Sequence, residues 1–195
     1  SQQTIGPFDQ VVFDSKILQQ RSAQYFMLHK PVGVVCANHD DIHKTVFDLL
    51  GSIDYSQLHV VGRLDLNTSG LVLITNDGKW SKSITSPANK VTKKYQVELK
   101  NSLSDEYIDA FAQGMYFEFE DITTKPAKLE IIGEREAIIT LTEGRYHQVK
   151  RMFGRFRNPV LKLHRSAIGK LQLCSKLEPG QYRSLSANEL QLFLN

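Results

Sequence analysis

Apolar residues along this chain fall in short runs of at most four, many of them alternating with polar ones, and the runs are separated by Gly, Pro, Asn and Asp. Gln10 to Phe13 predicts a short strand ending at Asp14-Ser15-Lys16. Tyr25 to Leu28 and Val34 to Ala37 predict two strands joined by the turn Lys30-Pro31-Val32-Gly33, a hairpin pattern. A short helix is expected over Thr45 to Leu50. Strands at Leu58 to Val61 and Leu71 to Thr75 then flank a polar loop, and Asn76-Asp77-Gly78 turns the chain into a short helix ending near Pro87. In the second half, Lys94 to Leu99 is a strand and Asp105 to Gln113 a helix, capped by Ser104 and stopped by Gly114. Strands follow at Ala127 to Ile132 and Ala137 to Thr142, then a helix from Tyr146 to Phe156 and strands at Val160 to Leu163 and Lys170 to Leu173. A helix at Ala187 to Leu194 opens on a Ser186 to Glu189 capping box. No repeat and no regular βαβ period is visible, so the expected class is α+β, with a mainly antiparallel mixed sheet and flanking helices.

The helix over Tyr146 to Phe156 carries more than a core face. Val149, Met152, Phe153 and Phe156 fall at i, i+3, i+4 and i+7, which leaves His147, Lys150, Arg151 and Arg155 away from the apolar stripe. Charge is concentrated there. From Glu143 to Lys170 the chain holds eight Arg and Lys against one acid, a local +7, whereas the rest of the molecule is at −4 for an overall +3. A basic patch on a near-neutral body is the footprint of a protein that meets a polyanion.

At 195 residues and 41% hydrophobic content the chain is long enough to bury a full core. It has no apolar run near the roughly 18 residues of a membrane span and no secretory pattern at its start, so a cytoplasmic protein without membrane contact is expected. Cys36 and Cys174 stand far apart outside any Cys-x-x-Cys pair and are expected as free thiols. His39 and His43 have the spacing of two metal ligands on a helix, but Asn38, Asp40 and Asp41 around them make a surface turn the better reading, and no metal is expected. His59 lies on a strand, where core packing or hydrogen-bonding support is the expected role.

The polar loop after Leu58 to Val61 is the most informative stretch. In Val61-Gly62-Arg63-Leu64-Asp65-Leu66-Asn67-Thr68-Ser69-Gly70-Leu71 a lone acid sits between two apolar strands, and such an acid requires a partner, for which Arg63 is the nearest in sequence. Gly-Arg-Leu-Asp-x-x-Thr-Ser-Gly-Leu resembles the catalytic loop of the pseudouridine synthases. That resemblance implies their catalytic fold with a central RNA-binding cleft, and makes Asp65 the carboxylate that acts on a uridine in RNA. Tyr95, in Lys94-Tyr95-x-Val97, matches the strand Tyr that packs on the flipped base. Glu143 to Phe153, Glu-Gly-Arg-Tyr-His-Gln-Val-Lys-Arg-Met-Phe, resembles the family's third motif and makes Lys150 the cation that pairs with Asp65. Leu163 is placed against the base and Arg165 near the RNA. Arg145 and Arg151 are divided between RNA contact and structure, and His147, Arg155 and Arg157 belong to the RNA-binding set.

The isomerisation implied by the resemblance uses no cofactor, metal or nucleotide. Asn76 to Ser81, Thr85-Ser86-Pro87 and the Tyr146 to Phe153 string are most similar to the RsuA branch, whose members modify one uridine in small-subunit 16S rRNA. That branch begins with a small RNA-binding domain of the ribosomal-protein-S-four type. The expected organisation is therefore a remnant or linker of such a domain at residues 1–22, followed by a catalytic domain at 23–195, acting as a monomer on 16S rRNA or a small-subunit assembly intermediate. A sister enzyme of large-subunit rRNA and a non-catalytic RNA-binding or ribosome-assembly module are the alternatives. The sequence leaves open whether Asp65 attacks the ribose, adds to the uracil ring or takes a sugar proton.

Overall fold

The protein is described here from a computed structural model covering residues 4–19 and 21–193. Residues 1–3 and 20 of the expected linker, and Leu194 at the end of the expected last helix, lie outside the described residues. Strands β1 (Val11–Phe13) and β2 (Lys16–Gln19) form a hairpin apart from the main sheet. In order there follow β3 (Tyr25–Lys30), β4 (His59–Val61), β5 (Ser69–Thr75), α1 (Gly78–Thr85), β6 (Lys93–Leu99) and α2 (Glu106–Gln113). A small hairpin of β7 (Tyr116–Phe117) and β8 (Ile122–Thr123) leads to β9 (Lys128–Ile131), β10 (Glu136–Leu141) and α3 (Gln148–Gly154). The chain continues through β11 (Val160–Ile168), β12 (Leu171–Gln172), β13 (Tyr182–Ser184) and α4 (Ala187–Gln191).

The main sheet runs β13-β3-β5-β11-β6-β10-β9, with β4 on β5 and β12 on β11, and every pairing except β5 with β11 is antiparallel. The alternating faces of its strands define two apolar layers. One joins Leu28, Val72, Val97 and Ile139 to Tyr107 and Phe111 of α2 and to Val149, Met152 and Phe153 of α3. The other places Met27, Leu71, Leu73 and Ile168 against Trp80 and Ile84 of α1 and against Leu190 and Phe193 at the C-terminus. This is the mixed, mainly antiparallel α+β architecture that the alternation predicts.

Several local expectations change. Val34 to Ala37 forms no strand with β3. Gly33 N–H donates to Leu66 O, and Val35 exchanges backbone hydrogen bonds with Lys44 and Val46, so this segment packs on the Asp65 loop instead. The helix expected over Thr45 to Leu50 is a 3₁₀ turn at Asp48–Leu50, because Thr45 and Asp48 bond each other's backbone and Gly51 at φ +63° ends the turn. Ser104 does not cap α2 through its side chain; its hydroxyl donates to Glu106 Oε1. The α3 helix is shorter than the apolar periodicity predicts: His147 at φ +49° is left-handed at its start, and beyond Gly154 the chain turns to a left-handed Arg157 at φ +52°. The strand expected at Val160 to Leu163 instead runs on through His164 and Arg165 to Ile168. β13 was absent from the sequence reading.

Candidate active site

The Asp65 loop is shaped by its neighbours on three sides. Gly62 at φ +76° lets the chain leave β4, and Gly70 at φ +114° approaches β11 so closely that an added Cβ would lie 2.3 Å from Arg165 O. The two glycines of the motif therefore answer a backbone conformation and a close strand approach. Leu64 is buried in the first apolar layer, and its N–H points at Cys36 Sγ, 3.4 Å away. Thr68 N–H donates to Asp65 O at 3.1 Å and closes the turn.

Two buried cations hold this loop from below. Arg165 is 2% exposed; its guanidinium donates to Leu71 O at 2.8 Å, Gly62 O at 2.7 Å and Arg63 O at 3.4 Å, clamping both ends of the loop. Every donor bond described for it goes to backbone carbonyls, and the residue also lines the cleft. Lys30, fully buried at the end of β3, donates to Pro31 O at 2.8 Å, Thr68 O at 2.7 Å and Leu66 O at 3.4 Å. Burial pulls its ammonium down to about 8, a change opposed in part by Cys36 and Asp65. The sequence reading missed Lys30, taking it as the first residue of a turn.

Asp65 stands about one third exposed above these supports. Lys150 Nζ lies 3.6 Å and His147 Nε2 3.4 Å from its Oδ2, so α3 and the turn before it bring both groups to the carboxylate. Arg63 is exposed, and among the described residues no ion pair joins it to Asp65. The reason is geometric: the chain turns at Gly62, and the partner comes from a helix some 85 residues later rather than from the loop itself. Tyr95 is buried in β6, in register with Arg165 of β11, which in turn pairs with Gly70. Tyr95, Leu163, Asp65 and Lys150 all line one cleft of about 690 Å³, together with Arg63, Lys93, Arg145, Tyr146, His147 and Arg165. Among its described lining residues Asp65 is the single carboxylate, set among Arg and Lys side chains and beside the apolar walls of Tyr95 and Leu163.

The remaining predicted residues divide. Arg145 is exposed at the rim, with its Nε 3.2 Å from Glu143 Oε2. Arg151 points elsewhere, forming a two-pronged ion pair with Glu120 while its guanidinium covers the Phe117 ring at 3.8 Å. Arg155 and Arg157 are exposed beyond the end of α3 and lie outside the cleft lining. His39 and His43 are paired separately, with Asp41 and Asp40. Unforeseen was Glu143, a buried carboxylate accepting from Lys125 N–H at 2.9 Å and Gln148 Nε2 at 2.8 Å. Its burial beside Arg145 is the price of a rigid rim, and the only sequence signal was its place as the one acid of the basic segment.

Such a cleft offers one carboxylate, nearby cations in reduced dielectric and an aromatic wall, the set needed to hold a planar uncharged ring against an acid. Its described lining residues do not include the paired carboxylates of glycoside hydrolysis. The RNA pseudouridylate synthase family model matches residues 24–154, which span the Asp65 loop, Tyr95 and Lys150. Ribosomal small subunit pseudouridine synthase A of Pseudomonas aeruginosa is 50% identical over 184 residues, covering 94% of this chain and 80% of that protein. The protein of the same name from Escherichia coli K12 is 45% identical over 185 residues, covering 94% and 80%. A crystal structure of a pseudouridylate synthase superposes with a TM-score of 0.83 at 43% identity, covering 97% of this chain and 82% of the other. With the family match extending over most of the chain and Asp65, Tyr95 and Lys150 of the cleft inside its matched segment, this protein belongs to the RNA pseudouridylate synthase family.

Proposed function

We propose that this enzyme isomerises one uridine of small-subunit 16S rRNA to pseudouridine, with residues 23–195 as its catalytic domain. The observation that carries the site assignment is the lone carboxylate of the cleft, Asp65, with Lys150 Nζ 3.6 Å from it. The target uridine leaves its stack, at a cost of a few kcal/mol, and enters the cleft. Tyr95 and Leu163 supply the apolar contact for the uracil ring, and the Lys150 ammonium faces the Asp65 carboxylate when the base excludes water. Breaking the bond from ribose to ring nitrogen and remaking it to a ring carbon leaves composition and oxidation state unchanged, so no redox partner enters the balance.

Arg145, Arg155 and Arg157 are exposed and available for phosphate contacts, which position RNA without reading its sequence. The small-subunit target rests on the names of the two relatives, and it is favoured over the large subunit for that reason. The reading includes a cytoplasmic enzyme that acts as a monomer. Mapping pseudouridine across 16S and 23S rRNA from cells lacking the gene tests the target: one 16S position is expected to revert to uridine, and a reverted 23S position would transfer the enzyme to the large subunit.

A further inference from the structure

The rim of the cleft carries a feature that the chemistry at Asp65 does not use. Tyr146 is 76% exposed and lines the cleft. Its ring is stacked on that of His147, with centroids 3.9 Å apart and planes at 18°, and His147 Nε2 is in turn 3.4 Å from Asp65. One face of Tyr146 is thus covered by His147.

The turn that presents the ring is fixed from beneath. Gln148 N–H donates to Arg145 O at 3.1 Å, and Arg145 N–H donates to Gln148 Oε1 at 3.0 Å. Buried Glu143 accepts from the side chains of both residues, and from the backbone of Lys125. A ring on a braced turn has already lost much of the freedom that stacking would otherwise remove, so less of the stacking energy is spent on ordering.

We propose that Tyr146 is the stacking platform for the unpaired base adjacent to the flipped uridine. The inference rests on the reading of the Asp65 cleft as the uracil pocket. A strand that delivers one base to Asp65 passes the rim, where its neighbouring base meets the outer face of Tyr146. The ligand is single-stranded RNA, and the contact accepts any base, because every base has a π-face. Tyr146 thereby favours a target uridine whose neighbour is unstacked from the helix, a selection by local RNA shape rather than by hydrogen-bond readout.

The test uses fluorescein-labelled RNA pentamers carrying no base, one uracil or two adjacent uracils on an otherwise abasic backbone. Their affinities are measured for the wild-type chain and for Tyr146→Ala and Tyr146→Phe. The gain from the first uracil reports the Asp65 cleft, and the further gain from the second reports the rim. Tyr146→Ala is expected to lose the second gain, a change of about five- to thirtyfold in affinity, and to lower the first by a smaller factor, while Tyr146→Phe keeps both. Retention of the second gain by Tyr146→Ala, or loss of both gains together, overturns the platform. Absence of the first gain in the wild-type chain overturns the uracil pocket itself and the platform with it.

Discussion

Replacing Arg165 by Lys separates the two roles that a buried strand arginine beside an RNA cleft can have. The guanidinium donates to three backbone carbonyls, two at the entry of the Asp65 loop and one at its exit. An ammonium is a point donor on a shorter stem and satisfies one or two of these at most. Hydrogen bonds from a charged donor contribute about 1.5–3 kcal/mol each. Water reaches the part-buried Gly62 and Arg63 carbonyls and offsets some of the loss, so a destabilisation of about 2–4 kcal/mol follows. For a chain of this length that corresponds to a fall in Tm of roughly 5–15 °C. Both ends of the loop are released, and a displacement of Asp65 by about 1 Å costs on the order of 10²-fold in rate. Urea unfolding reads the stability, and single-turnover pseudouridine formation at saturating RNA reads the rate. An unchanged urea midpoint together with weaker RNA binding would refute the clamp and make Arg165 an RNA ligand.

Lys150→Met is expected to lower the saturated rate roughly ten- to hundredfold while changing RNA affinity little, whereas Arg155→Ala and Arg157→Ala weaken binding and flatten its salt dependence. Filter binding across a salt series, set beside single-turnover rates, checks the contrast; equal affinity losses in all three variants with unchanged turnover would count against it. The wild-type rate at saturating RNA is expected to fall above pH about 8, where the folded protein loses the Lys30 proton. The unfolded chain keeps that proton until near pH 10.4, so this group's contribution to stability grows over the same interval while the Leu66 carbonyl loses a donor. Activity loss with an intact circular dichroism spectrum is the expected outcome, and a rate that stays flat to pH 9.5 would break the link between Lys30 and the loop.

Motifs with local causes were legible in the sequence. The strand, loop and strand around Asp65 follow from apolar runs broken by Gly62 and Gly70, and the core face of α3 follows from the spacing of Val149, Met152 and Phe153. The Ser186 and Glu189 capping box is present as its spacing predicts. What was not legible depends on distant partners. Arg63 is only two residues from Asp65 in sequence, but it is exposed and makes no described ion pair with it, and Lys150 reaches the carboxylate only because α3 packs on the sheet beside β11. Arg165 and Lys30 look like surface charges because a buried cation bonded to backbone carbonyls leaves no carboxylate partner in the sequence to reveal it. β13 has three residues, two of them polar, and owes its extended form to pairing with the edge of β3 rather than to any pattern of its own.

The most direct measurement is single-turnover conversion of uridine in a 16S rRNA substrate by Asp65→Asn, with RNA affinity determined on the same preparation. The substitution keeps the shape of the side chain and removes its charge, leaving the Lys30 and Arg165 supports of the loop in place. The rate is predicted to fall by roughly 10³-fold or more while the dissociation constant stays close to that of the wild-type chain. Conversion by Asp65→Asn at a rate near that of the wild-type chain would contradict the assignment of Asp65 as the catalytic carboxylate.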